Sequence, residues 1–319
     1  MRLISPVDQL AEAEPLLEAG ADELYGGFVS EEWRRRYRLL ASINQRTFEG
    51  AQIASFADLR EIVKRAHGRG KSFSLTLNAP FYTDEQMPLL LDYVDRTVAA
   101  GIDGIILADL GLLRELRRRH PGIEYHASTL AHLGNSGAVA FYAGQGVSRV
   151  IFPRHLTLAE MTEIAGKLPQ LRFDAFMLIG KCPNTEGLCT FHHSSPDQIW
   201  PCEIPYRIEP LEPPGSPTLQ AAIVRQASWS RSNRRQGCGL CAIPALLRAG
   251  IHGVKLVGRG APAAQKIMNV SLVGEFLRLA AEETDLSRYC RQAREAHARR
   301  FTAACSGNVC YYPEYCPDE

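Results

Sequence analysis

From Leu3 to about Glu283, short apolar runs alternate with amphipathic stretches. The runs at 3–6, 23–26, 72–77, 104–107, 124–127, 149–152, 173–178 and 253–257 have the length and bounding residues of buried strands. Helical periodicity fills the spaces between them, at 7–18, 56–67, 84–99, 110–119, 136–144, 158–168 and 242–249, with a last helix at 261–282. Thr83 with Gln86 and Thr157 with Glu160 read as capping boxes, and Ser55 with Asp58 as a weaker one. Gly20, Gly101, Gly146 and Gly250 stand where helices should stop, and Pro262 suits the first turn of the last helix.

Strand–helix alternation repeated eight times predicts an α/β fold, a (β/α)8 barrel of TIM type. A doubly wound sheet is the competing topology, but no Gly-x-Gly-x-x-Gly follows the first strand. Barrel enzymes build their sites from the loops after the strands. Two of these loops are long here, one of about 28 residues after strand two and one of about 60 after strand seven. Residues 1–283 are expected to form the barrel, with a cysteine-bearing loop at 180–241. Residues 284–319 are expected to be a short cysteine-rich tail packed on it.

The composition is that of a soluble globular protein, 45% hydrophobic and 22% charged over 319 residues. A net charge of +1 gives no electrostatic signature of a dedicated nucleic-acid binder. The arginine runs at 34–36 and 117–119 fall in helical segments and read as solvated faces. There is no signal-like start and no apolar run approaching a membrane span, so a cytoplasmic location is expected. Disulfides are then disfavoured, and the nine cysteines point to metal or thiol chemistry.

Five cysteines cluster in the seventh loop, as Cys182-x6-Cys189-x12-Cys202 followed by Cys238-x2-Cys241. The spacing is not that of paired zinc ligands and suits a [4Fe–4S] cluster, with zinc or reactive thiols as alternatives. His192 and His193 lie between the ligands. The tail set Cys290-x14-Cys305-x4-Cys310-x5-Cys316 has enough thiols for a second cluster that would relay electrons, or for zinc.

The chain resembles the peptidase U32 (collagenase-like) family. The marks are Leu17-Glu18-Ala19-Gly20-Ala21-Asp22-Glu23-Leu24-Tyr25-Gly26-Gly27, Asp103-Gly104-Ile105-Ile106-Leu107-Ala108-Asp109-Leu110-Gly111 and His126-Ala127-Ser128-Thr129. Further marks are Arg149-Val150-Ile151-Phe152-Pro153-Arg154, Cys182 with Glu186-Gly187-Leu188-Cys189, Leu240-Cys241, and Val254-Lys255-Leu256-Val257-Gly258-Arg259. The resemblance implies a [4Fe–4S] cluster at the barrel mouth on Cys182, Cys189, Cys202 and Cys241, with Cys238 spare. It implies oxygen-independent hydroxylation of RNA bases or ubiquinone precursors, with prephenate as the hydroxyl donor; in size the chain is closer to the ubiquinone-type members. It also implies a homologous barrel as a possible partner subunit. The chain departs from the family pattern at Leu130, His155 and Val257, which makes the mouth less acidic.

Asp109, His126, Arg154 and Arg259 fall at or beyond strand ends and are the candidate catalytic residues. Asp109 would be a base or a helix N-cap, and His126 a general acid–base or a core histidine. Arg154 and Arg259 would clamp a carboxylate or phosphate, or make salt bridges. Tyr25, Asn78 and Lys255 are candidate pocket-lining and cofactor-binding residues, with Asn44 and Arg46 as weaker ones. The leading expectation is an iron–sulfur redox enzyme acting on a small or nucleic-acid-borne ring with a carboxylate-bearing co-substrate. A peptidase pairing Cys182 or Cys189 with His126 is one alternative, although no Gly-x-Ser-x-Gly or His-Glu-x-x-His occurs. A non-catalytic iron–sulfur subunit is another.

Overall fold

Eight strands pair in sequence order, all parallel, and the eighth closes on the first. The computed structural model describes residues 1–37, 42–46, 48–182, 185–189, 211–221, 223 and 235–315. The strands are β1 (Arg2–Pro6), β2 (Glu23–Gly26), β3 (Ser72–Leu77), β4 (Gly104–Leu107), β5 (Glu124–Ala127), β6 (Arg149–Ile151), β7 (Arg172–Phe176) and β8 (Gly253–Lys255). The helices are α1 (Leu10–Glu18), α2 (Glu31–Tyr37), α3 (Phe56–Gly68), α4 (Met87–Ala99), α5 (Leu110–Arg119), α6 (Ser136–Gly144), α7 (Leu158–Lys167), α8 (Ile243–Arg248), α9 (Ala263–Glu282) and α10 (Leu286–Phe301). The expected barrel is the one observed. The helices α2 and α10 are additions to it.

Alternation along each strand gives the barrel two buried surfaces. Leu3, Phe73, Leu75, Ile105, Val150 and Val254 belong to the apolar core between strands and helices. The inner face is different at its lower level. Arg149 of β6 donates across the barrel to Glu23 of β2 (Nη1 to Oε2, 2.7 Å) and, through Nε, to Asp174 of β7 (2.6 Å). A contact between opposite strands has to pass through the interior, so this ionic layer is the centre of the barrel. Two glycines make room for it. A Cβ at Gly104 would stand 2.9 Å from His126 Nε2, and one at Gly253 would stand 2.5 Å from Asp174 Oδ1.

The helix starts follow the sequence signals unequally. Thr157 and Glu160 form a complete capping box at α7, and Ser55 caps α3 through the Asp58 amide. At residue 83 only half the box forms: the Thr83 amide donates to Gln86 Oε1, and α4 begins later, at Met87. Replacing Thr157 by Ala should therefore cost about 1 kcal/mol in a urea-unfolding measurement.

The last part of the chain is built into the barrel. Tyr289 of α10 is buried and donates to the carbonyls of Leu240 and Phe276. Tyr311 and Tyr312 donate to the carbonyls of Ile179 and Phe176, just past the end of β7 and at it (2.6 and 2.7 Å). Cys238 bridges both Leu178 and Cys310 through the backbone. Among the described residues no helix is long and apolar enough to cross a membrane.

Candidate active site

A cavity of about 740 Å³ opens at the C-terminal ends of the strands. Its floor comes from the inner faces of the strands: Tyr25, Thr76, Ile106, Ile151, Phe176 and Lys255. Its walls come from the loop after β2, the loop after β7 and the end of α10. Among the described residues its lining holds seven arginine and lysine side chains (Arg46, Arg154, Lys181, Arg235, Lys255, Arg259 and Arg300) and one carboxylate, Glu186. A cleft lined so unevenly focuses positive potential and selects anions.

Arg154 is held from three sides. Its guanidinium makes an ion pair with Glu186, lies 3.7 Å from the centroid of the Phe176 ring and also interacts with Tyr311. Glu186 also accepts from the Arg154 amide. Burial works against the guanidinium charge, but Glu186 outweighs it and keeps the group firmly protonated. The arginine Nε is buried without a hydrogen-bond partner, as is Asn78 Oδ1 on the same cavity wall. Both residues line the cavity with this hydrogen-bonding capacity unused.

Lys255 is the second notable cation. Its Nζ sits 3.4 Å from the centroid of the Tyr25 ring, and the residue is 5% exposed. Burial lowers its amine to about 7; Glu23 and Asp174 partly oppose the fall, while Arg149 and Arg154 add to it.

The structure does not bring the four expected catalytic residues together. Asp109 is the N-cap of α5: it accepts from the Leu112 amide at 2.6 Å and the Tyr82 amide at 3.1 Å, and it does not line the cavity. His126 lies lower in the barrel. Its Nε2 is 3.0 Å from Glu124 Oε1 without hydrogen-bond alignment, and burial together with Arg149 disfavours its charged form. Arg259 touches the cavity but spends its donors on the loop after β2. It reaches the carbonyls of Asn44 (3.1 Å) and Ala51 (2.6 Å), Thr76 Oγ1 (3.1 Å) and Gln52 Oε1 (3.3 Å). This makes it the tie that holds that loop in place, rather than a free clamp. Lys181 is likewise occupied, by the carbonyls of Asn308 and Cys310.

Sequence reasoning assigned no role to Glu186, which stands inside the cysteine motif, or to Phe176. An acidic residue between two thiols, facing the Arg154 loop, was the signal for the first. Ile179 is another. It follows β7 on the cavity wall in the left-handed region, at φ 48°. Branching at Cβ makes that conformation costly. The position is fixed by its amide donating to Gly237 O at 2.7 Å and by Tyr311 on its carbonyl.

The thiols divide into two neighbourhoods. Cys182 and Cys189 line the cavity. Cys241 is not on its wall; its sulfur faces Cys290 of α10, each Sγ lying 3.8–3.9 Å from the other residue's carbonyl oxygen. Cys202 and Cys316, with His192 and His193, lie outside the described residues. Among the described residues no three His, Cys, Asp or Glu side chains converge to hold a metal ion.

Comparison with known proteins adds a family. A model of peptidase family U32 matches residues 8–315. The tRNA hydroxylation protein P of Escherichia coli (strain K12) is 28% identical over 187 residues, covering 59% of this chain and 38% of that protein. The 23S rRNA 5-hydroxycytidine C2501 synthase of the same organism is 25% identical over 268 residues, covering 81% of this chain and 36% of that protein. The chain thus spans under two-fifths of the length of these relatives. A solved structure of the U32 peptidase Mk0906 has 16% identity and a TM-score of 0.47, covering 67% of this chain and 83% of that one. With nearly its whole length matched, the chain belongs to peptidase family U32.

Proposed function

We propose that this chain is a modification enzyme that hydroxylates a base of RNA without molecular oxygen, using a small carboxylate-bearing co-substrate bound in the barrel mouth. The observation that carries this reading is the cavity itself, with seven arginine and lysine side chains against one carboxylate among the described residues at the strand ends. Prephenate, which the family resemblance implies, is an anion of the class such a cavity selects. The names of the relatives supply the hydroxylation of RNA. Arg154 is pre-ordered on the cavity wall by Glu186 and Phe176, so little side-chain entropy is lost on binding an anion. Asn78 Oδ1 accepts a donor from the ligand, and the aromatic and aliphatic floor excludes water beneath it.

The peptidase alternative needs a thiol beside an imidazole. His126 faces Glu124 instead and is not on the cavity wall with Cys182 and Cys189. The experiment is anaerobic incubation of the purified protein with cellular RNA and prephenate, followed by nucleoside mass spectrometry. A nucleoside gaining one oxygen is expected. No gain with iron-replete protein, alongside peptide cleavage that survives a chelator, would overturn the proposal.

The metal part of the proposal is the [4Fe–4S] cluster that the family resemblance puts on Cys182, Cys189, Cys202 and Cys241; Cys182 and Cys189 line the cavity. Cys182→Ser and Cys241→Ser should each strip iron from about four atoms per chain to near zero, as read by iron and acid-labile sulfide determination on anaerobic protein. Iron retained in Cys241→Ser would remove Cys241 from the ligand set.

A further inference from the structure

The sequence has six lysines. Five are spoken for. Lys64, Lys71 and Lys167 pair with Glu61, Asp22 and Glu163 on the surface. Lys266 is buried between Asp8 and Glu12, and Lys181 donates to two carbonyls. Lys255 has no hydrogen bond and no ion pair among the described residues. Its amine rests on the face of Tyr25, at the floor of the cationic cavity, 5% exposed. A buried ammonium without an anionic partner is expensive. A neutral amine there is not, and burial beside other cations is one of the ways in which lysine becomes a nucleophile.

We propose that Lys255 Nζ condenses with the carbonyl carbon of a 2-oxo acid bound in the cavity. The amine lone pair attacks the carbonyl carbon to give a carbinolamine. The nitrogen gives up its two protons, and the carbonyl oxygen leaves with them as water, so that a carbon–nitrogen double bond replaces the carbon–oxygen one. No electrons are gained or lost, and no further reactant is required. Two features of the cavity choose the substrate class. The cations, Arg154 foremost, select a carboxylate. The unpaired amine selects a ketone or aldehyde. A 2-oxo acid carries both groups on adjacent carbons.

The inference deepens the carboxylate co-substrate of the proposed function, and its readout does not depend on RNA. The test is borohydride trapping with pyruvate and, separately, phenylpyruvate, followed by peptide mapping of the wild-type protein. The expected result is a reduced adduct on the peptide carrying Lys255, in large excess over the peptides of the other five lysines. It should be lost in Lys255→Met and much weaker with propionaldehyde, which lacks the carboxylate. Because the amine titrates at about 7, trapping should rise through that pH and level off above it. No adduct on Lys255 with either acid, or labelling spread evenly over the lysines, would overturn the inference. Peptide mapping of unmutated protein keeps the test valid even if Lys255→Met misfolds. An adduct without RNA hydroxylation would leave this inference standing and sink the RNA reading. Hydroxylation without an adduct would do the reverse.

Discussion

Replacing Arg149 by methionine should lower the free energy of unfolding by about 3–5 kcal/mol at neutral pH, because it leaves Glu23 and Asp174 as buried carboxylates without their cation. The triple substitution that also removes both acids should recover much of this, since a well-packed apolar layer often matches a buried ionic one. The pH dependence separates this mechanism from a simple cavity. Burial raises Glu23, Glu124 and Asp174, but Arg149 and its neighbouring histidines outweigh it and hold all three below their ordinary values, Glu124 at about 2. Groups depressed in the folded state give stability that is present above the unfolded carboxylate values of about 4 and is lost as pH falls toward the folded ones. The wild type should therefore weaken below about pH 4. The gap between wild type and Arg149→Met should narrow there, because acidification protonates the carboxylates in both. Urea midpoints at neutral pH and at about pH 3 check the sign. A gap that stays constant with pH would place the loss in packing instead.

Replacing Arg154 by lysine should reduce kcat/KM for the carboxylate co-substrate by about 100-fold, or about 2.7 kcal/mol, while leaving the urea midpoint close to wild type. Lysine keeps the charge beside Glu186 but not the plane that lies on Phe176 or the fork of donors. The loss should fall mainly on KM, as expected for an interaction made to bound co-substrate before the reaction. A variant within about threefold of wild type would mean that charge alone suffices and would remove the directional role of the guanidinium.

The eight strands were readable because both their faces are buried, so apolar runs stand out against charged helices. All eight expected helices start within three residues of their observed positions for related reasons, their caps and glycine stops being local chemistry. The helix α2 was readable only as a helical segment around its arginine run, without bounds: its sequence, Glu-Glu-Trp-Arg-Arg-Arg-Tyr, has no apolar period, and only Trp33 is buried. Its acidic first turn and basic last turn suit the helix dipole, a signal too weak to act on alone. Arg259 shows a second kind of limit. Its partners are backbone carbonyls, and carbonyls leave no trace in sequence. The ionic layer is the opposite case. Glu23, Arg149 and Asp174 stand inside apolar runs on the parity that points inward, and charges in such places need one another. Asp109 fell on a strand end and on a helix start at once. The structure shows it as the cap of α5.

Ile179 sets stability against architecture at one residue. Glycine there would relieve a backbone cost of about 1–2 kcal/mol, so selection for heat resistance alone would drift toward it. The relaxed chain would no longer be confined to the bend that presents residues 180–182 to the cavity. In a thermostability screen, a gain at this position would be expected to surface among the clones that have lost their chemistry.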